Sequence, residues 1–377
     1  MLDFLPEDWR NANLVGRMDF GEGPTPVAVL SGALFDLANV APTVAQILEE
    51  PSRALSGRAM GELLDFDLQP DWKRRGGPRL LAPVDLQCVK AAGVTFAISA
   101  MERVIEERAR GDSTKAQSIR RALENRIGSN LRACRPGSPE AARLKEAFIA
   151  DGLWSQYLEV AIGPDAEIFT KCPPLSSVGW GAEIGIRPDS SWNNPEPEIV
   201  LIANRHGRTV GASLGNDVNL RDFEGRSALL LGEAKDNNAS CSIGPFIRLF
   251  DDHFAPADIG SAEVELTVCG PDNFRLEGRS SMRNISRDPL ELVEQATRQH
   301  QYPDGFALFL GTMFAPTQDR DVPGLGFTHK LGDMVRVSTP RLGVLENRVA
   351  YCNAAPPWNF GIGDLMRNLA HRGLLKV

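Results

Sequence analysis

The stretch NPEPEIVLIANRHGRTVGASLGND, residues 194–217, contains two strand-like runs on either side of a short polar turn. The first run is apolar without a break from residue 199 to residue 203, which indicates a strand buried on both faces. Because side chains alternate along a strand, Glu196 and Glu198 are expected to point to the same side of the sheet. If the turn closes a hairpin, the second run brings Asp217 back to both glutamates.

A cluster of these three carboxylates predicts a site for a metal ion. Carboxylates that converge in a partly buried site cannot all stay ionised without a cation. The chain has five histidines, and none forms an H-E-x-x-H or similar pair, so the ligands are expected to be oxygen atoms. Oxygen ligands favour Mg²⁺, or else Mn²⁺ or Ca²⁺, over Zn²⁺. A solvated Glu-x-Glu pair on a strand surface remains the alternative, since charged side chains are mostly exposed.

Composition and charge limit the class of protein and its partners. The 377 residues carry 41 lysines and arginines against 49 aspartates and glutamates, a net charge of −8, with no basic run that nucleic acid would need. The six cysteines never form a C-x-x-C pair, which disfavours a structural zinc site and a dense disulfide framework. No stretch approaches the ~18 apolar residues of a membrane span, and the first residues lack a secretory signal pattern. We therefore expect a cytoplasmic protein without nucleic-acid or membrane partners.

The sequence pattern predicts three parts along the chain. Residues 1–80 are expected to form a small α+β lobe, in which Thr43 caps one short helix. Residues 81–160 are expected to form a helical segment that packs on the domain that follows. Residues 161–377 are expected to form this larger domain, because short β-rich runs separated by Gly, Pro, Asn and Asp are typical of a sandwich or barrel.

Individual elements are predicted within these parts. The predicted helices of the middle segment cover residues 85–110, 113–131 and 140–149, and a later helix covers 289–299. The predicted strands of the last part cover residues 199–203, 209–212, 227–231, 245–250, 264–268, 306–310 and 334–338.

The order of several short motifs resembles the fumarylacetoacetate hydrolase superfamily over roughly residues 160–350. These motifs are Gly179-Trp-Gly181, Glu196-x-Glu198, Gly215-Asn-Asp217, Arg221-Asp222, Lys235, Gly244-Pro245-Phe246, Gly311-Thr312 and a closing hairpin at 331–349. The resemblance implies a mixed β-barrel or β-sandwich roll in the C-terminal catalytic domain. The whole chain would then be mainly β with an α+β N-terminal part.

Two short spacings are similar to those of the 2-keto-3-deoxy-aldonate dehydratase branch, which acts on D-arabinonate-type or other pentonate substrates. Asp217 follows Glu198 by 19 residues, and Lys235 follows Asp217 by 18 residues. That branch has a catalytic glutamate ahead of the Glu-x-Glu pair, and Glu167 stands at the matching position. The resemblance implies the following site residues: Glu196, Glu198 and Asp217 as metal ligands, Glu167 and Lys235 as catalytic residues, and Phe169, Gly311 and Thr312 as substrate-binding residues.

The resemblance also implies a reaction, namely the dehydration of a 2-keto-3-deoxy pentonate to 2,5-dioxopentanoate in sugar catabolism. The substrate's carboxylate and 2-oxo oxygens would chelate the metal and make a C3 proton removable. Glu167 would act as general base or acid, and Lys235 would hold charge or shuttle protons as the C4 hydroxyl leaves. The partner is therefore a small 2-oxo acid, and by analogy the protein is expected to be a homodimer or homotetramer.

Three other functions remain open at this point. The same site could serve a hydrolase that cleaves a carbon–carbon bond in an acylpyruvate or fumarylacetoacetate-like acid, or a decarboxylase of an oxo-diacid. A third alternative is a non-catalytic binding protein that has kept the fold. Histidine is absent from residues 85–170, where the superfamily's His-Glu dyad would lie, and this absence favours dehydration over hydrolysis.

A few residues have plain structural interpretations. Lys235 is expected one strand beyond the hairpin, although a surface lysine would also fit its polar surroundings. Arg221 and Asp222 are interpreted as a structural ion pair. Trp180 and Trp192 are interpreted as packing residues, although either could line a pocket.

Overall fold

The computed structural model describes residues 3–132, 134–314 and 316–375, with the side chains of residues 55 and 124–132 outside the description. The strands within these ranges are β1 (Leu14–Asp19), β2 (Pro24–Leu30), β3 (Ala33–Asp36), β4 (Arg58–Glu62), β5 (Arg79–Leu81), β6 (Cys88–Gly93), β7 (Glu167–Cys172), β8 (Glu183–Ile186), β9 (Asn193–Asn194), β10 (Pro197–Ala203), β11 (Thr209–Asp217), β12 (Asn219–Leu220), β13 (Cys241–Leu249), β14 (Glu263–Cys269), β15 (Arg275–Ser281), β16 (Phe306–Phe309), β17 (Met334–Thr339) and β18 (Gly343–Tyr351). The helices are α1 (Val44–Glu49), α2 (Ala97–Ala109), α3 (Ser113–Arg132), α4 (Pro139–Ala150), α5 (Gln156–Ile162), α6 (Arg221–Glu224), α7 (Leu231–Lys235), α8 (Pro256–Gly260), α9 (Pro289–Thr297) and α10 (Ile362–His371).

Two sheets and a short ribbon make up the β structure of the described residues. The large sheet has the strand order β4-β3-β2-β1-β13-β11-β10-β16-β6-β7, with β5 added beside β1. The smaller sheet has the order β15-β14-β17-β18-β8, and β9 pairs with β12. Most neighbours are antiparallel, whereas β6 with β16 and β8 with β18 are parallel. This mixed arrangement confirms the predicted mainly β fold.

The central hairpin β10–β11 forms because its turn satisfies its own backbone. The Asn204 side chain accepts hydrogen bonds from the backbone N–H groups of His206 and Arg208, at 3.1 and 3.2 Å. Gly207 adopts a left-handed conformation with φ +71° that completes the turn. Apolar side chains of β10 then alternate between two cores. The strand is therefore buried on both faces, as its unbroken apolar run predicts.

Three apolar clusters organise the fold. The largest lies between the two sheets and contains Ile199 and Leu201 of β10. The second covers the opposite face of the large sheet, where Val200 and Ile202 meet α1. The third joins α2 to α5 and includes Trp192, so the helical segment packs beside the start of β9. This packing confirms that Trp192 is a packing residue.

The predicted helices have one clear error. The helix expected over residues 85–110 begins only at Ala97, because Cys88–Gly93 forms β6 in the large sheet. Val89 and Ala91 of β6 are buried in the second cluster. The alanines of this segment favour a helix, but pairing with β16 stabilises a strand instead. The other predicted helices are present as α1, α3, α4 and α9, and Thr43 caps α1 through a hydrogen bond from Gln46 N.

The strand predicted at residues 227–231 is also wrong. This segment is a 3₁₀ turn, Ala228–Leu230, that leads into α7. Ser227 caps the turn by accepting a hydrogen bond from the Leu229 N–H group, and the Leu229 side chain is exposed to solvent. An apolar run that does not enter a core lacks the packing that would hold it as a strand. Lys235 accordingly ends a short helix and does not lie on a strand.

The N-terminal part shares its sheet with the rest of the chain. β1 pairs with β13, so the strands of residues 1–80 extend the large sheet. The predicted domain boundaries, 1–80, 81–160 and 161–377, stay a prediction. Among the described helices, none has the length and apolar character needed to cross a bilayer.

Candidate active site

Glu196, Glu198 and Asp217 meet as the hairpin predicts. Oxygen atoms of the three carboxylates lie within 4.8 Å of one another, and each residue is at most 2% exposed. The backbone N–H group of Asp217 donates to the carbonyl oxygen of Glu196 at 3.0 Å, and Glu198 is paired with Gly215. The antiparallel register therefore places the three side chains on one face. Three buried carboxylates at these distances fit a divalent cation.

Gly215 is required by the close packing behind the cluster. A Cβ atom at this position would lie 2.2 Å from the Phe309 ring and 2.6 Å from the Val200 side chain. The aromatic ring thus lies against the backbone of β11 next to Glu198. This contact explains why glycine precedes the Asn-Asp pair in the motif.

Three buried cations surround the carboxylates. Lys235 Nζ lies 2.5 Å from Glu196 Oε2 and 3.1 Å from Asp217 Oδ2. Lys171 Nζ lies 2.8 Å from Asp217 Oδ1. Arg103 of α2 forms an ion pair with Glu196 Oε1. Glu196 and Asp217 are therefore each held through both of their oxygen atoms, and the interpretation of Lys235 as a surface lysine is wrong.

The surrounding charges shift the pKa values of Glu196 and Glu198 in opposite directions. Burial raises the pKa of Glu196, but the charges on Arg103 and Lys235 outweigh it and lower that pKa to about 2. Burial raises the pKa of Glu198 well above its usual value, and the negative charges of Asp217 and Glu196 raise it further. A divalent cation at the cluster would favour the ionised form of Glu198.

The loop after β16 binds Glu198 directly. The backbone N–H group of Gly311 donates to Glu198 Oε2 at 2.7 Å, and Thr312 Oγ1 donates to Glu198 Oε1 at 3.3 Å. Gly311 has φ +105°, and a Cβ atom there would lie 1.9 Å from Thr95 Oγ1. Glycine is needed at this position for both reasons. The predicted role of Gly311 and Thr312 in substrate binding stays a prediction.

Glu167 lies at the border of the cluster. It is the first residue of β7, and its carboxylate lies over Gly93, where a Cβ atom would come within 2.0 Å of Glu167 Oε2. Burial raises the pKa of Glu167, while the charges of Arg103 and Lys235 oppose this rise. Along β7, Glu167 and Phe169 alternate onto one side, and Lys171 follows at a β-bulge opposite Val89 and Lys90. Phe169 is partly buried and packs on the second core cluster, and its predicted contact with substrate stays a prediction.

The sequence analysis missed Lys171 and Arg103. Lys171 lies at a β-bulge that interrupts the two-residue alternation starting at Glu167, so regular alternation does not identify it. Arg103 belongs to a charged stripe of α2, with Glu102 and Glu106, in which all three side chains are buried. Their spacing along a helix was a usable signal, because buried charges are rare unless they are paired.

Arg221 does not pair with Asp222, contrary to the prediction. Its guanidinium binds Glu102 and Glu106 at 2.6 Å each and lies 4.5 Å from the centre of the Trp192 ring. Asp222 instead accepts hydrogen bonds from Ser190 Oγ and Ser191 N–H. Neighbouring residues on a helix face different directions, so the pair cannot form.

Glu106 binds both Arg221 and Arg103 and so connects this ion network to the candidate site, and Glu224 is a further carboxylate at Arg103. Glu224 Oε2 lies 3.1 Å from Arg103 Nη1. Burial raises the pKa of Glu224 from 4.5 to about 7, although the charge on Arg103 opposes the shift. Between these pH values the folded protein holds a proton that the unfolded chain has lost. The contribution of Glu224 to the free energy of unfolding therefore falls as the pH rises from 4.5 to 7.

The variant Glu224→Gln removes this titration. We expect the unfolding free energy of the variant, minus that of the wild type, to increase by about 1–3 kcal/mol between pH 4.5 and pH 7. Urea denaturation at several pH values measures this difference. Glu265→Gln, at an exposed carboxylate, is the control and should stay within about 0.5 kcal/mol of the wild type. A difference for Glu224→Gln that does not vary with pH would contradict the raised pKa.

The fold and the carboxylate cluster together define a β-rich domain with a buried site for a divalent cation. The sequence profile of the fumarylacetoacetate (FAA) hydrolase C-terminal family matches residues 156–350, slightly more than half of the chain. The protein belongs to this family.

Two curated relatives have similar sequences. One, from Haloferax volcanii, is named a probable 2-keto-3-deoxyxylonate dehydratase and is 31% identical over 210 residues, which cover 56% of this chain and 68% of the relative. The other, from Saccharolobus solfataricus, is named 2-dehydro-3-deoxy-D-arabinonate dehydratase. It is 30% identical over 179 residues, which cover 48% of this chain and 57% of the relative.

Solved structures share the fold. A 2-keto-3-deoxy-D-arabinonate dehydratase complexed with magnesium and 2,5-dioxopentanoate superposes with a TM-score of 0.62 at 21% identity, covering 90% of this chain and 99% of that one. A fumarylacetoacetate hydrolase from Exiguobacterium antarcticum has a TM-score of 0.54 at 17% identity, covering 90% of this chain and 100% of that one. At these identities the likeness concerns the fold alone.

Proposed function

We propose that this protein is a metal-dependent hydro-lyase that removes water from a 2-keto-3-deoxy sugar acid, with a pentonate giving 2,5-dioxopentanoate. The observation that carries the proposal is the buried cluster of Glu196, Glu198 and Asp217, with Lys235 inside it and Glu167 at its border. The dehydratase names of both curated relatives support this reaction.

The donor set suits Mg²⁺, with Mn²⁺ or Ca²⁺ as the alternatives. All three ligands would be carboxylate oxygens of Glu196, Glu198 and Asp217, which hard divalent cations prefer. When bound, such a cation polarises the 2-oxo group of the substrate and stabilises negative charge on its oxygen.

Glu167 and Lys235 divide the proton transfers in this proposal. Glu167 takes the proton from C3, and its raised pKa brings it closer to the range in which a carboxylate is an effective base. Lys235 Nζ gives a proton to the departing C4 hydroxyl, so that water leaves. The charges on Asp217, Glu196 and Glu224 outweigh burial and raise the pKa of Lys235, which keeps the ammonium protonated before the reaction. Elimination leaves a 5-hydroxy-2-oxo-3-enoic acid. Transfer of a proton from C5 to C3 then gives an enol at C4 and C5, which tautomerises to the 2,5-dioxo acid.

The helix that covers the site favours dehydration over hydrolysis. α2 contributes Glu102, Arg103 and Glu106, and its residues 97–109 include no histidine. A carbon–carbon hydrolase of this family would need a base that activates water. Arg103, Glu102 and Glu106 are engaged in ion pairs instead.

Product analysis tests the proposed function. The protein is incubated with Mg²⁺ and a panel of 2-keto-3-deoxy acids and acylpyruvates, and the products are identified by mass spectrometry. Loss of the mass of one water from a 2-keto-3-deoxy acid, abolished by a chelator, is the expected result. Two carbon fragments from an acylpyruvate, with no dehydration of any sugar acid, would contradict the proposal.

We also propose that the protein is an oligomer. A homodimer or homotetramer is expected by analogy with the family. Light scattering coupled to size-exclusion chromatography distinguishes these states from a monomer of 41.1 kDa.

A further inference from the structure

The ribbon β9–β12 continues the hairpin that carries the three carboxylates. Asn194 pairs with Asn219 in the same register that pairs Glu198 with Gly215. Each asparagine is two residues from a carboxylate of the cluster, so strand alternation places the asparagine pair on the face of Glu196 and Asp217. This asparagine pair, the asparagine row, therefore lies one step of two residues beyond Glu196 and Asp217, which is a distance of about 7 Å along the strands.

Both asparagines are buried, and most of their amide atoms are unpaired. Asn194 is 1% exposed and Asn219 is not exposed. Asn194 Nδ2 donates to the carbonyl oxygen of Pro195 at 2.9 Å. Within the described part of the chain, Asn194 Oδ1 and both amide atoms of Asn219 have no hydrogen-bond partner. An unpaired buried polar group costs about 1–3 kcal/mol, so this row is expected to bind a polar ligand group.

Trp192, just before β9, carries a further unpaired buried group. Trp192 precedes Asn194 by two residues, and its Nε1–H group is also buried without a partner among the described residues. The asparagine row itself offers a donor from Asn219 and acceptors from both asparagines. A hydroxyl group both donates and accepts, which matches this mixed set.

We propose that Asn194 and Asn219 bind the terminal hydroxyl group of the substrate and select for a five-carbon sugar acid. This inference rests on the proposed function. In an extended pentonate whose C1 and C2 oxygens are at the carboxylate cluster, the C5 hydroxyl lies about 5 Å from C2. A hydrogen bond of about 2.9 Å then reaches the asparagine row. An acid with an apolar end would leave the amide groups unpaired, and a site built to bind a hydroxyl group rejects such an analogue.

Substrate discrimination tests this assignment. kcat/KM is measured for a 2-keto-3-deoxy pentonate and for its 5-deoxy analogue, 4-hydroxy-2-oxopentanoate. The wild type is expected to prefer the hydroxylated acid by about 10- to 100-fold. Asn194→Ala and Asn219→Ala should reduce this ratio at least several-fold by affecting the hydroxylated acid alone. Asn219→Ser, which keeps a hydrogen-bonding group, should retain part of the ratio even if an alanine variant folds poorly.

The control variant is Asn204→Ala at the opposite end of the same hairpin. Asn204 is also buried, and its Nδ2 atom also lacks a partner among the described residues. Its substitution should lower stability while leaving the substrate ratio unchanged. A wild-type ratio near one, or equal losses on both acids in the Asn194 and Asn219 variants, would overturn the assignment.

Calorimetry separates this inference from the proposed function. Dissociation constants of both acids are measured in the presence of Mg²⁺, which does not require turnover. Preferred binding of the hydroxylated acid that is lost in Asn194→Ala and Asn219→Ala and partly kept in Asn219→Ser supports the asparagine row, even if no water is released. Equal binding of the two acids by the wild type overturns it, even if the pentonate is dehydrated.

Discussion

Replacing Asp217 by asparagine is expected to lower kcat/KM for dehydration by at least about 10³-fold, a loss of about 4 kcal/mol of transition-state stabilisation. The reason is that the variant removes one negative charge from a cluster of three buried carboxylates. The same variant should lose the increase in melting temperature that millimolar Mg²⁺ gives the wild type, because a ligand that binds only the folded state stabilises it. Thermal unfolding with and without Mg²⁺, together with steady-state kinetics, measures both effects.

A matched control distinguishes loss of the metal site from loss of a buried ion pair. Asp217 also binds Lys171 and Lys235, so its replacement leaves two buried ammonium groups with fewer partners. Asp333 is a buried carboxylate outside the cluster that binds Arg320 through both oxygens. Asp333→Asn should lower the melting temperature and keep the response to Mg²⁺. An Asp217→Asn protein that keeps the full response would show that the cluster does not bind the metal.

Replacing Lys235 by glutamine is expected to lower kcat by about 10²- to 10⁴-fold, the usual contribution of a general acid or base. The metal affinity should change in the opposite direction. Lys235 Nζ lies between Glu196 and Asp217 and therefore competes with a cation for their oxygens. Calorimetric titration with Mn²⁺ should show several-fold tighter binding by Lys235→Gln than by the wild type.

Lys235→Arg separates charge from proton transfer. Arginine keeps the positive charge but does not deprotonate in proteins, so metal binding should stay close to that of the wild type while kcat remains low. Activity of Lys235→Gln within a few-fold of the wild type would exclude Lys235 as the proton donor. Equal metal affinity in the wild type and Lys235→Gln would exclude the competition.

The carboxylate cluster could be predicted because its geometry is local. Glu196, Glu198 and Asp217 lie within one hairpin, so strand alternation and a short turn bring them together. The location of Lys235 near the site could also be predicted, since the order of the motifs places it there. The position of Lys235 on α7 could not be predicted. The preceding segment does not form a strand because Leu229 is exposed, and exposure depends on the whole fold.

The remaining charges of the site come from distant parts of the chain. Lys171 on β7 reaches Asp217 although three strands separate β7 from β11 in the order of the sheet. Arg103 reaches Glu196 only because α2 packs in the third apolar cluster. Such contacts depend on the curvature of the sheet and on helix packing, which no local pattern encodes. The helix prediction for residues 88–93 was wrong for the same reason, since pairing with β16 outweighs the helical preference of their composition.

Diffraction from crystals soaked with Mn²⁺ and a 2-oxo acid tests the metal site most directly. The anomalous signal of manganese identifies the ion independently of its surroundings. We predict one strong peak at about 2.0–2.6 Å from an oxygen of each of Glu196, Glu198 and Asp217, the range of hard divalent cations. A peak at other residues, or carboxylates that turn away from one another without an ion between them, would contradict the account.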